Sequence, residues 1–308
     1  MSPIKQTSQR VLSMASEIRS LEDLKRRLLE IKELGWIPSR RSRDTGIGKT
    51  FEDLLGIPEN NLQLPDVGGI EVKSSREYTQ SMITLITFEP PKEWRNVNWT
   101  LDDLVATFGE TGFENGGPVF HITVYATHYT SNAQQFKLEV REINGTEMVC
   151  AVTRREFVGI NQNLPRDVVV AYLVDEIVQR ISKKLKGCLL IIEAESRTVD
   201  DREEFKLKSA KLYTGFSEKR FIELVQEGQI ALDIRFGRYK DGKPHNHGTG
   251  WRIKKKDVLK LYAREIDLLN DDIPNDINCD NPIIIEDKDT REKDRKITDF
   301  ISILLLLL

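Results

Sequence analysis

Residues 64–75 read LPDVGGIEVKSS, and the fold turns on them. Asp66 follows Pro65, on extended backbone near the start of a strand. Glu71 and Lys73 stand two apart on a predicted strand, Gly69 to Ser74. Their side chains share one face, and Val72 turns the other way into the core. The Gly68-Gly69 bend can bring Asp66 back over that face, so two carboxylates and one ammonium converge. Two carboxylates can hold Mg²⁺, a hard ion that prefers oxygen ligands. Such an ion neutralises phosphodiester charge and acidifies a bound water. Lys73 would orient that water or stabilise its hydroxide form. The bland alternative is a surface ion pair between Glu71 and Lys73, so the surroundings must decide.

Upstream lies RDTGIGKTFEDLLGI, residues 43–57. Its Gly-Lys-Thr resembles half of a phosphate-binding loop. That loop needs a glycine five residues earlier, where this chain has Arg43, and no buried strand precedes it. Thr50 instead reads as an N-cap with Asp53 at N3, opening a short helix through Leu55 that carries Glu52.

Residues 8–34 read as an amphipathic helix with Leu21, Leu24, Leu28 and Ile31 at helical spacing, ended by Gly35. Ile83–Phe88 reads as a strand and Leu101–Phe108 as a helix. Val119–Thr127, Phe136–Glu142 and Glu147–Val152 read as a three-stranded meander with Asn144-Gly145 as a hairpin turn. A helix is predicted from Pro165 to Lys186, then a buried strand Cys188–Ala194. Two helices follow, near Arg202–Tyr213 and Ser217–Glu227, then strands Ile230–Phe236 and Trp251–Ile253 and a short helix Asp257–Leu261. Mixed elements of this kind imply an α/β or α+β class.

The 308 residues suffice for one large domain or two lobes, with 39% hydrophobic and 31% charged residues. The net charge of −3 hides an asymmetry: residues 265–308 hold 12 acidic and 5 basic side chains, leaving +4 for residues 1–264. Basic segments at 1–49 and 200–264 suit phosphate contacts, although a solvated charged surface would look the same. Cys150, Cys188 and Cys279 show no paired spacing, which predicts neither a disulfide framework nor a zinc site and fits a reducing cytoplasm. The polar start argues against a signal peptide. The leucine-rich end is too short to span a membrane. Residues 265–296, rich in Asp, Asn and Lys, read as a loose extension.

The order of GIGKTFEDLLGI, PDVGGIEVKSSRE, MITLITFEPP, GFSEKRFIELVQEGQIALDIR and HNHGTGWRI resembles the MvaI/BcnI-type restriction endonucleases, relatives of the repair nickase MutH. The likeness runs across roughly residues 17–262. It implies a PD-(D/E)XK core with catalytic and recognition lobes around a DNA cleft, the first including about residues 40–150 and the second about 195–264. It makes Asp66 and Glu71 metal ligands for Mg²⁺, with Mn²⁺ as a substitute. Lys73 becomes the catalytic lysine and Glu52 the completion of the carboxylate cluster. Gly46 and Gly48 would let the loop approach DNA, with Ser75 and Arg76 as DNA contacts and Lys49 either a phosphate contact or a surface lysine.

Arg235 and the polar segment holding His245, Asn246, His247 and Arg252 would then read bases, Arg being well shaped for guanine. The letters HNH are not the spread-out ββα-metal motif of that name, and the His-x-His pair has no evident third metal ligand. The resemblance further implies a monomer cutting double-stranded DNA at a short G·C-rich pseudopalindrome of CC…GG type. A cognate methyltransferase would be its functional partner. A MutH-like nickase or a non-catalytic DNA-binding protein would share much of this sequence pattern.

Overall fold

In the computed structural model, residues 18–279 are described except 43, 44, 58–65, 67 and 132. The start of the predicted first helix, Pro65, Arg43 and the leucine-rich end lie outside the described residues. Helix α1 (Leu21–Glu33) is capped by Ser20, whose hydroxyl accepts from Asp23 N–H. It buries Leu24, Leu28 and Ile31 against α2 (Gly46–Leu55), and the buried Arg27 donates to the Leu54 carbonyl at 3.1 Å. Both helices cover one face of a sheet ordered β1 (Ile37–Pro38), β10 (Arg202–Phe216), β9 (Cys188–Val199), β2 (Ile70–Arg76), with β13 (Tyr262–Asp267) beside the far half of β10. Phe51, Leu54, Ile70, Val72, Leu190 and Phe205 fill the space between them.

A second sheet is antiparallel, ordered β3 (Ile83–Thr87), β12 (Pro244–Ile253), β11 (Ile230–Arg238), β5 (Gly117–Val124), β4 (Gly112–Glu114). A third pairs β6 (Phe136–Ile143), β7 (Thr146–Thr153) and β8 (Val168–Leu173). Helices α3 (Leu101–Phe108), α4 (Val174–Leu185) and α5 (Glu218–Gln226) share the larger core with these sheets. The first two sheets each draw strands from both halves of the chain, and β2 runs parallel to β9 across a long crossover.

Several expectations are corrected. The meander is a hairpin, β6–β7, and its third strand is β8; β5 belongs to another sheet. The helix from Pro165 is instead strand β8 running directly into α4. The β-branched run at Val168–Val170 favours the strand. Arg202–Tyr213 is strand, not helix. Thr50 lies inside α2, its hydroxyl donating back to the Gly46 carbonyl at 2.7 Å, while Thr45 is the N-cap. Gly46 serves packing: a Cβ there would sit 2.3 Å from the Arg41 carbonyl oxygen. Residues 265–279 are ordered by the core rather than loose. Leu268 and Leu269 are buried, and Cys279 forms a disulfide with Cys188 across 5.3 Å between Cα atoms. Those two cysteines are 91 residues apart, so no local spacing could reveal the pair. Among the described residues no helix is long and apolar enough to cross a membrane.

Candidate active site

Strand β2 alternates as its sequence requires. Ile70 and Val72 enter the core under α2, while Glu71 and Lys73 turn to the opposite face. Gly68 and Gly69 take φ of 51° and 74°, a turn that most side chains resist. That turn folds Asp66 onto the strand: its N–H donates to the Ile70 carbonyl at 3.0 Å, and its Oδ2 accepts from Val72 N–H at 2.7 Å. Asp66 therefore brackets Glu71.

Glu71 is 1% exposed. Its Oε1 lies 2.5 Å from Lys73 Nζ and 3.1 Å from Lys184 Nζ, an α4 side chain that sequence reasoning missed. Neither Glu71 oxygen has a well-directed hydrogen bond. The two ammoniums offset the buried charge by proximity and leave carboxylate lone pairs for another ligand. A hard divalent cation fits that donor set.

Glu52 sits on α2, which packs against β2. Among the described residues no three His, Cys, Asp or Glu side chains gather as a metal site, so the pair Asp66 and Glu71 stands without a preformed third ligand. Lys49 pairs with Asp53 at 2.9 Å, and Arg40 reaches the same carboxylate at 3.2 Å. Burial opposes ionisation of Asp53, but the hydrogen bonds from Lys49 and Arg40 outweigh it and lower its pKa. Ser75 follows Lys73 on the same face, its hydroxyl buried without a hydrogen-bond partner. Arg76 makes two hydrogen bonds to Glu203, at 2.6 and 2.7 Å.

The second sheet gathers the other sequence candidates. His245, Asn246 and His247 lie on strand β12, which begins at Pro244, well before the strand predicted from Trp251. They lead to Arg252 on the same strand. The buried Asp233 organises this face: its Oδ2 accepts from Arg235 Nε at 2.6 Å and Arg252 Nη1 at 2.7 Å, and its Oδ1 accepts from Thr123 at 2.7 Å. Arg235, half-exposed, projects into a cleft of about 400 Å³ that His121, Glu114, His247 and Arg252 also line. Asn246 is engaged within the protein, donating to Glu89 at 2.5 Å and accepting from Gly248 N–H at 2.8 Å. His121, Asp233 and Glu114 had no local motif; only the pairing of β5 with β11 brings His121 opposite Arg235.

The Asp66–Lys73 cluster and the polar sheet face thus occupy separate sheets. Lys255, just past β12, joins them by gripping Glu193 on β9 and the Glu77 carbonyl. A solved structure described as a complex of restriction endonuclease MvaI with cognate DNA substrate superposes with a TM-score of 0.67 at 30% identity, over 82% of this chain and all of that one. A second, of MvaI in the absence of DNA, gives 0.45 at 30% identity, over 82% of this chain and 99% of that one. No curated protein matches. The profile of the MvaI/BcnI restriction endonucleases covers residues 25–262, spanning both the Asp66–Glu71–Lys73 strand and the Arg235–Arg252 face. With profile and fold in agreement, the chain belongs to the MvaI/BcnI restriction endonuclease family and is a site-specific DNA nuclease.

Proposed function

We propose that the chain is a Mg²⁺-dependent type II restriction endonuclease. It acts as a cytoplasmic monomer at a short G·C-rich pseudopalindrome of CC…GG type and leaves 5′-phosphate and 3′-hydroxyl ends. The observation that carries this reading is Glu71, a buried carboxylate bracketed by Asp66 and flanked by two lysines. Asp66 and Glu71 would hold Mg²⁺, or Mn²⁺ in its place. Bound there, the ion would neutralise phosphate charge and acidify water.

Lys73 orients the attacking water and stabilises its hydroxide form, so that attack in line on phosphorus expels the 3′-oxygen. Lys184 holds the Glu71 carboxylate in place and adds positive charge beside the scissile phosphate. Glu52 supports the cluster from α2. Lys49 and Ser75 lie along the backbone path, and Arg76 braces that edge through Glu203. Arg235 and Arg252, aligned by Asp233, read guanine edges with His245, Asn246 and His247 beside them. A methyltransferase of the same specificity would protect host DNA.

The test is cleavage of long unmethylated DNA with Mg²⁺, followed by sequencing of the ends. Discrete double-strand ends at one G·C-rich site are expected. Nicks confined to one strand would favour a MutH-like nickase instead. No cleavage by folded protein with Mg²⁺ or Mn²⁺ would favour a DNA-binding protein.

A further inference from the structure

Residues 77–82 link β2 in the first sheet to β3 in the second. One short stretch of chain grips both ends of that link. At the near end, Lys255 Nζ donates to the Glu77 carbonyl at 3.1 Å and to the Arg76 carbonyl at 3.5 Å. At the far end, Arg252 Nη2 donates to the Met82 carbonyl at 2.9 Å. Arg252 belongs to β12 and lines the polar cleft, and Lys255 follows it by three residues. Lys255 also pairs with Glu193, whose other carboxylate oxygen accepts from Ser209 on β10 at 3.2 Å. Glu193 lies beside Ser75 in the parallel β2–β9 ladder, on the sheet face that Glu71 and Lys73 share. Three acceptors thus meet the three N–H donors of one ammonium. The Lys255 side chain is 20% exposed, too enclosed for the free rotation that makes surface ion pairs weak.

We propose that Lys255 is a positioning residue that couples recognition to cleavage. It fixes the end of β2, and with it the face carrying Glu71 and Lys73, relative to the strand that carries Arg252. Arg252 is aligned by Asp233 at 2.7 Å and stands in the cleft, so a base edge that shifts its guanidinium also shifts the Met82 carbonyl. Lys255 passes a displacement of β12 to Arg76, three residues beyond Lys73. Arg76 is tied to Glu203 by two hydrogen bonds, and Glu77 N–H donates to the Ala194 carbonyl at 2.9 Å. The end of β2 therefore follows its sheet rather than peeling from it. A misplacement of about 1 Å at reacting groups costs roughly 10²-fold in rate, so a small adjustment through this link is enough to separate right sites from wrong ones. The coupling rests on the endonuclease reading and on Arg252 as a base contact, and it adds a residue that belongs to neither candidate set.

The experiment compares wild-type protein with Lys255→Met on short duplexes carrying the site found by end-sequencing, and on duplexes with one base pair replaced at a time. Affinity is measured with Ca²⁺ in place of Mg²⁺. The rate of the bound complex is measured in single turnover with Mg²⁺ at saturating protein, and melting temperatures confirm the fold. Lys255→Met should cut the intact site about 10²-fold more slowly and bind it with unchanged affinity. Its rate on the replaced sites should change little, so the preference in rate shrinks while the preference in affinity survives. Glu193→Gln leaves Lys255 its two carbonyl acceptors. It should show the same pattern more weakly, and it carries the test if Lys255→Met does not fold. A uniform rate loss on every duplex, a loss of affinity that matches the loss of rate, unchanged rates, or a wild type that discriminates in affinity alone would overturn the coupling. Absence of any sequence preference in wild-type protein would instead overturn the endonuclease reading itself.

Discussion

Lys184 Nζ lies 3.1 Å from the same Glu71 oxygen that Lys73 approaches to 2.5 Å. Two ammoniums on one carboxylate exceed what ion pairing needs. In the proposed mechanism, the second would face the phosphate once Glu71 is shared with a metal. Lys184→Met should lower single-turnover cleavage by roughly 10²-fold, the scale of one preorganised charge aimed at a reacting phosphate. DNA affinity measured with Ca²⁺ in place of Mg²⁺ should change little. Lys184→Arg keeps the charge and should recover part of the rate. Equal rates for Lys184→Met and wild type would reduce Lys184 to a surface lysine.

Asp66 has two jobs that substitution can separate. Its Oδ2 accepts from Val72 N–H, and in the proposed mechanism its charge would help hold the metal. Asp66→Asn retains an acceptor for Val72 and removes the charge. It should melt close to wild type yet lose cleavage by at least roughly 10³-fold, since a catalytic metal contributes several kcal/mol. A variant that still cuts at the wild-type rate would remove Asp66 from the catalytic set.

The contiguous part of the site was legible because it is local. Asp66, Glu71 and Lys73 fall within one turn and one strand, where period two fixes the face. Lys184 and His121 were not legible, since only the parallel β2–β9 crossover and the β5–β11 pairing bring them in. The missed strand β10 has a similar cause. A bulge between Leu207 and Ser209 shifts its alternation, so Phe205, Leu207, Ala210 and Leu212 are all buried. Spacings of three and seven within that set imitate a helix. At Val168–Leu185 a strand passes into a helix with no loop between them, and the apolar pattern gives no boundary.

The Cys188–Cys279 disulfide ties the segment after β13 to the start of β9. Cys188 N–H also donates to the Gly69 carbonyl at 3.0 Å, beside the turn that positions Asp66. Closing so long a loop restricts the unfolded chain, and its loss should cost about 2–4 kcal/mol. Cys279→Ser and treatment with a dithiol reductant should lower the denaturant midpoint equally. Addition of reductant to Cys279→Ser should then have no further effect. Equal midpoints for oxidised and reduced wild type would show that the bridge contributes no stability.

Asp233 is 3% exposed and serves two arginines. Asp233→Asn leaves Arg252 half-buried without its counter-charge, a loss of about 3 kcal/mol on the scale of broken buried pairs. It also frees the guanidinium of Arg235. Base discrimination should fall at more than one position, whereas Arg235→Ala should relax only one. Measuring cleavage across single-base variants of the site separates the two patterns. Identical patterns from both substitutions would deny Asp233 its organising role.

The histidine cluster predicts an acid-side loss of stability in the protein without DNA. Burial lowers the pKa of His121 below 6.5, with Glu114 opposing and Arg235 reinforcing. Burial also lowers that of His247, where His245 and His121 add to it and Glu114 again opposes. Well above 6.5 both rings are neutral whether the chain is folded or not, so they contribute no pH dependence there. As pH falls through 6.5, the unfolded chain takes up protons that the folded cluster resists. Stability must therefore decline until the lowered folded values are passed. Urea midpoints at about pH 7.5 and about pH 5 should differ more for wild type than for His121→Gln combined with His247→Gln. The carboxylates leave this comparison intact, because both proteins share them. An equal acid-side drop in the two proteins would mean that these rings protonate as readily in the fold as in the unfolded chain, and that their burial carries no electrostatic cost.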